Sequence, residues 1–259
     1  VSFSVGIQNS LLFTWGLNAT GQLGDSTTIN RSSPVQIGTS SWTKVSAGTG
    51  FAVAADNSST LYAWGNNAVG ALGNNAVVSR SNLVQVASAN LSQSSPIQVG
   101  TSSWTAVSMG ASHGVAISGN NLLFAWGVNA SGQIGDFTTS TKSSPVQIGT
   151  SSWSQVTAGE GDFTLALRSD STLWAWGNTV ATLGQAPAQT SWRTIAETGS
   201  YGIGIKGDGT LWGWGTNGTY NIGDGTTINK SSPVQISSAT NWVSLANSVG
   251  GAGFAINSL

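Results

Sequence analysis

The sequence predicts an all-β protein, a β-propeller of four-stranded antiparallel blades, and three observations predict it. The dipeptide Trp-Gly recurs at Trp15, Trp64, Trp126, Trp176 and Trp214, spaced by 49, 62, 50 and 38 residues. A second series (Trp42, Trp104, Trp153, Trp192, Trp242) and all five prolines (Pro34, Pro96, Pro145, Pro187, Pro233) keep register with the first. Between these marks lie short apolar runs rich in β-branched and aromatic residues, bounded by Gly, Asn, Ser or Pro, and no helical periodicity is present. A repeat of about 50 residues signals a propeller or solenoid.

One unit reads "LYAWG", a turn of the form "NxxGxLG", "SSPVQI", "WTKVSAG", then "GFAVAAD". Four strands per unit make one blade. In "LLFTWG" (Leu11–Gly16), alternation sends Phe13 and Trp15 to one side and Leu12 and Thr14 to the other. A large indole fills the gap between diverging blades, and Gly16 lets the chain bend or approach a neighbour closely. The units fall near 11–60, 61–122, 123–172, 173–210 and 211–259, in one domain, with 1–10 completing the ring.

Irregular spacing locates the exceptions. Trp-Gly to proline is 19 residues in the first, third and fifth units and 32 in the second. There "SNLVQV" (Ser81–Val86) and "SSPIQV" (Ser94–Val99) look like a local duplication that adds an edge strand or a loop. In the fourth unit the interval shrinks to 11 and "APAQT" has lost its alternation, so an outer strand is expected to be missing. "FSVGIQ" (Phe3–Gln8) matches "FAVAAD" (Phe51–Asp56), so the C-terminal Trp strand is expected to close five blades by pairing with the N-terminal strand. The extra "GFAIN" copy leaves a sixth partial blade, or an arc of a larger ring, as alternatives.

Composition narrows the function. Charged residues are 7% of 259, against roughly 25% in ordinary domains, and Ser, Thr, Asn and Gly take the surface role. The eight cations (Arg31, Lys44, Arg80, Lys142, Arg168, Arg193, Lys206, Lys230) are dispersed and the net charge is −1, so no nucleic-acid or polybasic membrane footprint exists. Zero cysteines exclude disulfides, Cys-ligated zinc and thiol chemistry. No apolar run is long enough to span a bilayer as a helix, and no signal peptide is visible. A first residue of Val1 rather than Met suggests processing or an excerpt of a larger chain or particle.

"LFAWGVNASGQIGD" with "SSPVQI", "WSQVTAG" and "FTLALRSDSTLWAWG" resembles the repeats of the regulator of chromosome condensation family, over essentially the whole chain. The resemblance implies a propeller, seven-bladed in the best-known members. It implies functions as varied as guanine-nucleotide exchange with chromatin binding, enzyme inhibition and scaffolding. Two departures stand out. The basic face expected of chromatin binders is missing, and the family's strand-initial His is matched by His113 alone, with Phe51, Phe163, Tyr201 and Phe254 nearby in the other units.

Candidate chemistry is sparse. His113, the one histidine, reads as structural, because a catalytic base also needs an orienting partner. Asp25, Asp136 and Asp224 recur after "LG" or "IG"; they suit turn caps better than calcium or sugar ligands. Glu160 and Asp162 form the one local carboxylate pair and are too close in sequence for a glycosidase pair. Glycines in "SVGGAGF" lack the Lys and helix of a phosphate loop. Sequons such as Asn18-Ala-Thr20, Asn57-Ser-Ser59 and Asn217-Gly-Thr219 follow from composition.

The expectation is therefore a non-catalytic binding or structural module, without cofactor or metal, of an extracellular, adhesin-like or virion protein, with a cytoplasmic setting still open. Phage tail and capsid-associated proteins are one such home. An intracellular partner-binding protein such as an exchange factor is the alternative, and a lectin or carbohydrate-active enzyme comes third. A protein or surface glycan is the expected partner. The contact candidates are His113, Glu160, Asp162, Tyr201 and, in the duplicated segment 77–93, Arg80, Asn82 and Asn90. Function is expected where the repeat is broken, since loops carry recognition.

Overall fold

A computed structural model describes residues 3–74, 93–99, 102–159, 161–178, 191–198, 201–246 and 254–257. These form twenty strands in six sheets, every pairing antiparallel. The first sheet holds β1 (Phe3–Gln8), β2 (Leu11–Gly16) and β3 (Arg31–Ile37). The second holds β4 (Trp42–Ala47), β5 (Phe51–Asp56), β6 (Leu61–Gly65) and β7 (Gln93–Gln98); the third holds β8 (Trp104–Met109), β9 (His113–Ser118), β10 (Leu123–Gly127) and β11 (Lys142–Gln147). In the fourth are β12 (Trp153–Ala158), β13 (Phe163–Arg168) and β14 (Leu173–Gly177). The fifth is β15 (Trp192–Thr198), β16 (Tyr201–Lys206), β17 (Leu211–Gly215) and β18 (Lys230–Gln235); β19 (Trp242–Ala246) and β20 (Phe254–Asn257) make the sixth.

The unit read from the sequence is the sheet observed: Trp strand, "FAVAAD" strand, Trp-Gly strand, proline strand. The Trp strands β4, β8, β12, β15 and β19 adjoin one another in succession and form the inner edge of the array. Each begins by donating its Trp N–H to the preceding sheet's hairpin, as Trp104 does to the Ser59 carbonyl at 2.8 Å. Inner strands are also joined by hydroxyls: the Met109 N–H donates to Ser46 Oγ and the Ala158 N–H to Ser108 Oγ, both at 3.0 Å.

Burial follows alternation. Leu61 and Ala63 enter the apolar layer shared with the third sheet, whereas Trp64 enters the layer shared with the first. The core is thus divided into five layers, one between each pair of neighbouring sheets. Trp64, Trp126 and Trp214 are wholly buried, and each such ring contributes on the order of 3 kcal/mol or more. The indole N–H of Trp64 donates to the Gln22 carbonyl of the preceding sheet at 3.0 Å; Trp126 and Trp176 repeat this with Ala71 and Gln133.

Glycine at two positions of the repeat makes that joint possible. At Gly65 φ is +102°, and a Cβ would fall 2.5 Å from the Gly50 carbonyl oxygen. At Gly24, Gly73 and Gly135, with φ between +66° and +80°, a Cβ would strike the next sheet's indole at 2.5–2.8 Å. Bend and close approach, both expected of the Trp-Gly step, coincide.

Three places depart from the regular unit. Of the duplicated copies in the second unit, "SSPIQV" supplies the outer strand β7, while Ser81–Val86 lies outside the described residues. The fourth sheet has three strands among the described residues, with 179–190 outside them. Last, β19 pairs with β20 and β1 with β2, and no pairing joins β19 to β1 among the described residues. Six sheets stand where five closed blades were expected, because the surplus "FAIN" strand takes the edge that the N-terminal strand was expected to take.

Candidate functional site

The third strands all run the same way through their sheets, so the connections to the fourth strands emerge together at one end of the array. Each is organised around a buried asparagine: Asn18, Asn67, Asn129 and Asn217 have no exposed surface. The Oδ1 of Asn129 accepts the Ile134 N–H at 3.0 Å, and its Nδ2 donates to Asp136 Oδ1 and the Thr138 carbonyl at 3.0 and 2.8 Å. Asn18 and Asn217 repeat the pattern.

The recurrent aspartates complete these turns. Asp136 Oδ1 accepts the Thr138 N–H and hydroxyl, and its other oxygen meets Lys142 at 3.0 Å. Asp25 does the same with Thr27 and Arg31, and Asp224 with Thr226 and Lys230. Partial burial pushes the Asp136 carboxyl up, but the bonds from Lys142, Thr138 and Asn129 outweigh it and hold the pKa at about 2. At Asp25 burial is likewise outweighed, by Thr27, Arg31 and Asn18; at Asp224 the Lys230 ammonium leads the lowering. With every oxygen engaged inside the turn, the caps leave little for a metal or sugar. Among the described residues no three His, Asp or Glu side chains gather as a metal site.

At the opposite end, charges sit on the aromatic residues of the second–third hairpins. The Arg168 guanidinium lies 3.9 Å from the Trp174 ring centroid and the Lys206 ammonium 3.8 Å from that of Trp212. Each of those indoles donates to a threonine, Thr172 or Thr210, held in turn by Asp170 or Asp208. Such contacts contribute about 0.5–1 kcal/mol where exposed.

Most of the sequence-derived contact candidates face inward or fall outside the described residues. His113 is fully buried between the third and fourth sheets. Its Nε2 is 3.0 Å from Thr164 Oγ1, and that hydroxyl donates to the Gln133 carbonyl at 2.8 Å. The threonine's one proton being committed, Nε2 is the protonated nitrogen of the imidazole. Burial drives the His113 pKa down to about 4, so the ring is neutral at physiological pH. Tyr201 is 2% exposed and packs in the layer beside the sixth sheet. Asp162 is half-buried in a left-handed turn with φ +58°, its carbonyl against Gly177. Arg80, Asn82, Asn90 and Glu160 lie outside the described residues.

Sequence reasoning passed over the tips of the long connections. Six of the eight large apolar side chains exposed among the described residues are there: Leu17, Ile29, Val69, Phe137, Tyr220 and Ile228. Phe137 is completely exposed with φ +61°, where the first and fifth units have Ser26 and Gly225. Tyr220, 64% exposed with φ +61°, stands where the other units have Gly21, Gly70 and Gly132. Left-handed backbone disfavours bulky residues, and neither ring gains compensating burial. Aligning the repeats against one another would have exposed both substitutions. Glu197 was also passed over. It is a buried carboxylate on β15, in the place of Ala47, Met109 and Ala158, and lies against Gly159.

Family models for the regulator of chromosome condensation (RCC1) repeat match residues 9–55, 58–117, 120–167 and 208–250, with a second model of that repeat over 104–133. The chain belongs to the RCC1-repeat family. The matches omit 168–207, around the shortened fourth unit. No similar sequence was found among curated proteins. Similar solved structures include human WBSCR16, at 18% identity and TM-score 0.78, covering 96% of this chain and 68% of that one. Yeast RCC1 (Prp20) bound to Kap60 is 16% identical with TM-score 0.79, covering 98% and 63%. Prp20p from Saccharomyces cerevisiae, described with its binding to Gsp1p and histones, is 17% identical with TM-score 0.75, covering 98% and 65%. This chain thus spans about two thirds of their lengths, and the likeness establishes the β-propeller fold.

Proposed function

We propose that this RCC1-repeat propeller is a non-catalytic binding module that meets its partner through the end bearing the third-to-fourth-strand connections. One observation carries the reading: Phe137 and Tyr220 project from left-handed turn positions into solvent on that end, among Leu17, Ile29 and Ile228. Exposed aromatic residues at conformational cost are what a contact surface requires, since buried aromatic anchors supply most of the energy of an interface. The neighbouring ion pairs cancel the local charge, so the surface suits an uncharged or apolar patch on a protein partner. Partner binding by Prp20 in complex with Kap60 supports binding as a use of the fold, though not the identity of the partner. Low charge and a Ser/Thr/Asn-rich surface support a home on an extracellular, adhesin-like or virion structure.

The test is a sensor-bound chain screened against surface proteins, glycans and small GTPases, in parallel with the double variant Phe137→Ser, Tyr220→Gly. A protein ligand whose affinity falls tenfold or more in the variant supports the reading. Binding that is untouched by this variant but lost when Arg168 and Lys206 are replaced moves the site to the other end. Accelerated guanine-nucleotide release from a GTPase replaces the proposal with the exchange-factor alternative.

A further inference from the structure

The joint between the third and fourth sheets differs from its neighbours at two facing positions. The second strands β5, β9, β13 and β16 open on Phe51, His113, Phe163 and Tyr201, and their next residues are Ala52, Gly114, Thr164 and Gly202. The one histidine and the one threonine of these two series meet across this joint, His113 Nε2 lying 3.0 Å from Thr164 Oγ1. That hydroxyl is itself committed to the Gln133 carbonyl, at 2.8 Å. A polar relay thus stands where the other second strands carry an aromatic ring and a small residue. The Trp176 indole, which reaches across the same joint to Gln133, is half-buried, whereas Trp64, Trp126 and Trp214 are wholly buried.

The relay accommodates a neutral imidazole only. His113 has no exposed surface, and its Nδ1 has no hydrogen-bond partner among the described residues. That edge of the ring packs on Gly110, where a Cβ would fall 2.8 Å from Nδ1 and 2.5 Å from the Gly159 carbonyl oxygen. A proton on Nδ1 therefore creates a buried donor without an acceptor and a buried charge without a counter-ion. No charge stands by to compensate it. β8, β10, β12 and β14 carry no titratable side chain, and β13 carries only Arg168, at its far end over Trp174. In the turn that holds Gln133, Asp136 is spent on Lys142. Asp162 precedes β13 with its carbonyl against Gly177, and Glu197 lies on the fifth sheet against Gly159. Burial is the one cause of the low His113 pKa, in keeping with a ring that no carboxylate answers.

We propose that this joint is an acid-released hinge: in mild acid His113 takes up a second ring proton and leaves Thr164, and the first three sheets part from the last three while each sheet stays folded. The joints on either side, where β5 and β13 open on phenylalanine, have nothing to titrate at that position and hold. The sign is fixed by the lowered pKa: closure is complete above about pH 6.5 and weakens progressively toward about pH 4. The consequence for binding rests on the contact surface proposed above. Phe137 and Tyr220 belong to the third and fifth sheets, on opposite sides of the hinge, so a partner gripped by both is released in acid.

Because the chain has no cysteine, one introduced thiol reports on one layer. Ala166→Cys places it between the third and fourth sheets and Ala116→Cys between the second and third; neither alanine has any exposed surface. Each is labelled with dithiodipyridine, which reacts in acid, and the rate is divided by that of a free peptide thiol at the same pH. The Ala166→Cys ratio should rise on the order of twentyfold from pH 7 to pH 5, as pKa values of about 4 closed and 6.5 open require, while Ala116→Cys stays nearly level. His113→Phe, which copies Phe51 and Phe163, and His113→Gln, which keeps a polar side chain that does not titrate, should each remove the rise. Equal rises in both layers would mean unfolding of the whole chain and would overturn the proposal. So would a rise that survives both His113 variants, or no rise at all. The thiol readout uses no partner, so the hinge and the contact surface stand or fall separately.

Discussion

The turn at Asn67–Gly73 and the turn at Asn217–Gly223 share one backbone and have opposite surroundings. Both are pinned by an asparagine Oδ1 accepting an N–H five residues on, from Leu72 or Ile222. Both end on a left-handed glycine, φ +66° at Gly73 and +80° at Gly223. The Trp126 ring packs against Gly73, where a Cβ would lie 2.8 Å from it; at Gly223 the nearest atom to a Cβ is the Ile236 side chain at 3.5 Å. The conformation is therefore set within the turn and does not depend on the neighbour's indole.

Substitutions separate these two contributions. The largest effect is expected for Trp126→Ala, about 4 kcal/mol of unfolding free energy in urea, from the lost ring and the cavity. Trp15→Ala, at an indole that is only half-buried, should cost about half as much, and equal losses would mean that the joint adds nothing to burial. Gly73→Ala combines left-handed strain with overpacking against the indole and should cost about 3 kcal/mol; Gly223→Ala carries the strain alone, about 1 kcal/mol.

His113 extends the comparison to charge, since its joint position is held by Phe51 and Phe163 in adjoining sheets. Its folded pKa of about 4 lies below the ordinary 6.5, so the unfolded chain binds the proton first. Stability should fall as pH drops from about 6.5 to 4, by on the order of 3 kcal/mol in all. In His113→Phe that slope should vanish. Asp136 acts lower down. Its depressed pKa means stability that is complete above about pH 4 and lost as pH falls toward 2. Asp136→Asn, which copies Asn74 of the second sheet, should flatten that limb at a cost of under about 1 kcal/mol at pH 7.

Periodicity made the strands, the Trp-Gly joint and the aspartate caps legible, because each is a local pattern repeated in register. The Phe13/Trp15 face and the Leu12/Thr14 face separate by burial as alternation requires. Ring closure was not legible. "FSVGIQ" and "FAIN" are equivalent strings, and the choice between them as partner for β19 depends on three-dimensional reach. His113 and Tyr201 were offered as contacts because they depart from a pattern, but the position they depart at is buried. The exposed tips at Phe137 and Tyr220 escaped notice because each hides inside a match, one residue exchanged in a turn that otherwise fits. The pairs Asp25–Arg31, Asp136–Lys142 and Asp224–Lys230, always six residues apart, were visible in the sequence and went unread as pairs.

The division of the core into five layers has a consequence for how the molecule opens. Each sheet is held by its immediate neighbours, so the free energy of exposing an amide depends on how many layers must separate to release it. The first and sixth sheets, each flanked on one side among the described residues, should exchange their amide hydrogens first. Protection should climb inward to a maximum at β8, β9 and β12, where the Ser46, Ser108 and Thr164 hydroxyls stitch adjoining sheets together. Under slow denaturation the chain should thus lose structure sheet by sheet from its flanks, and a mass-resolved exchange profile would read out the order of the repeats.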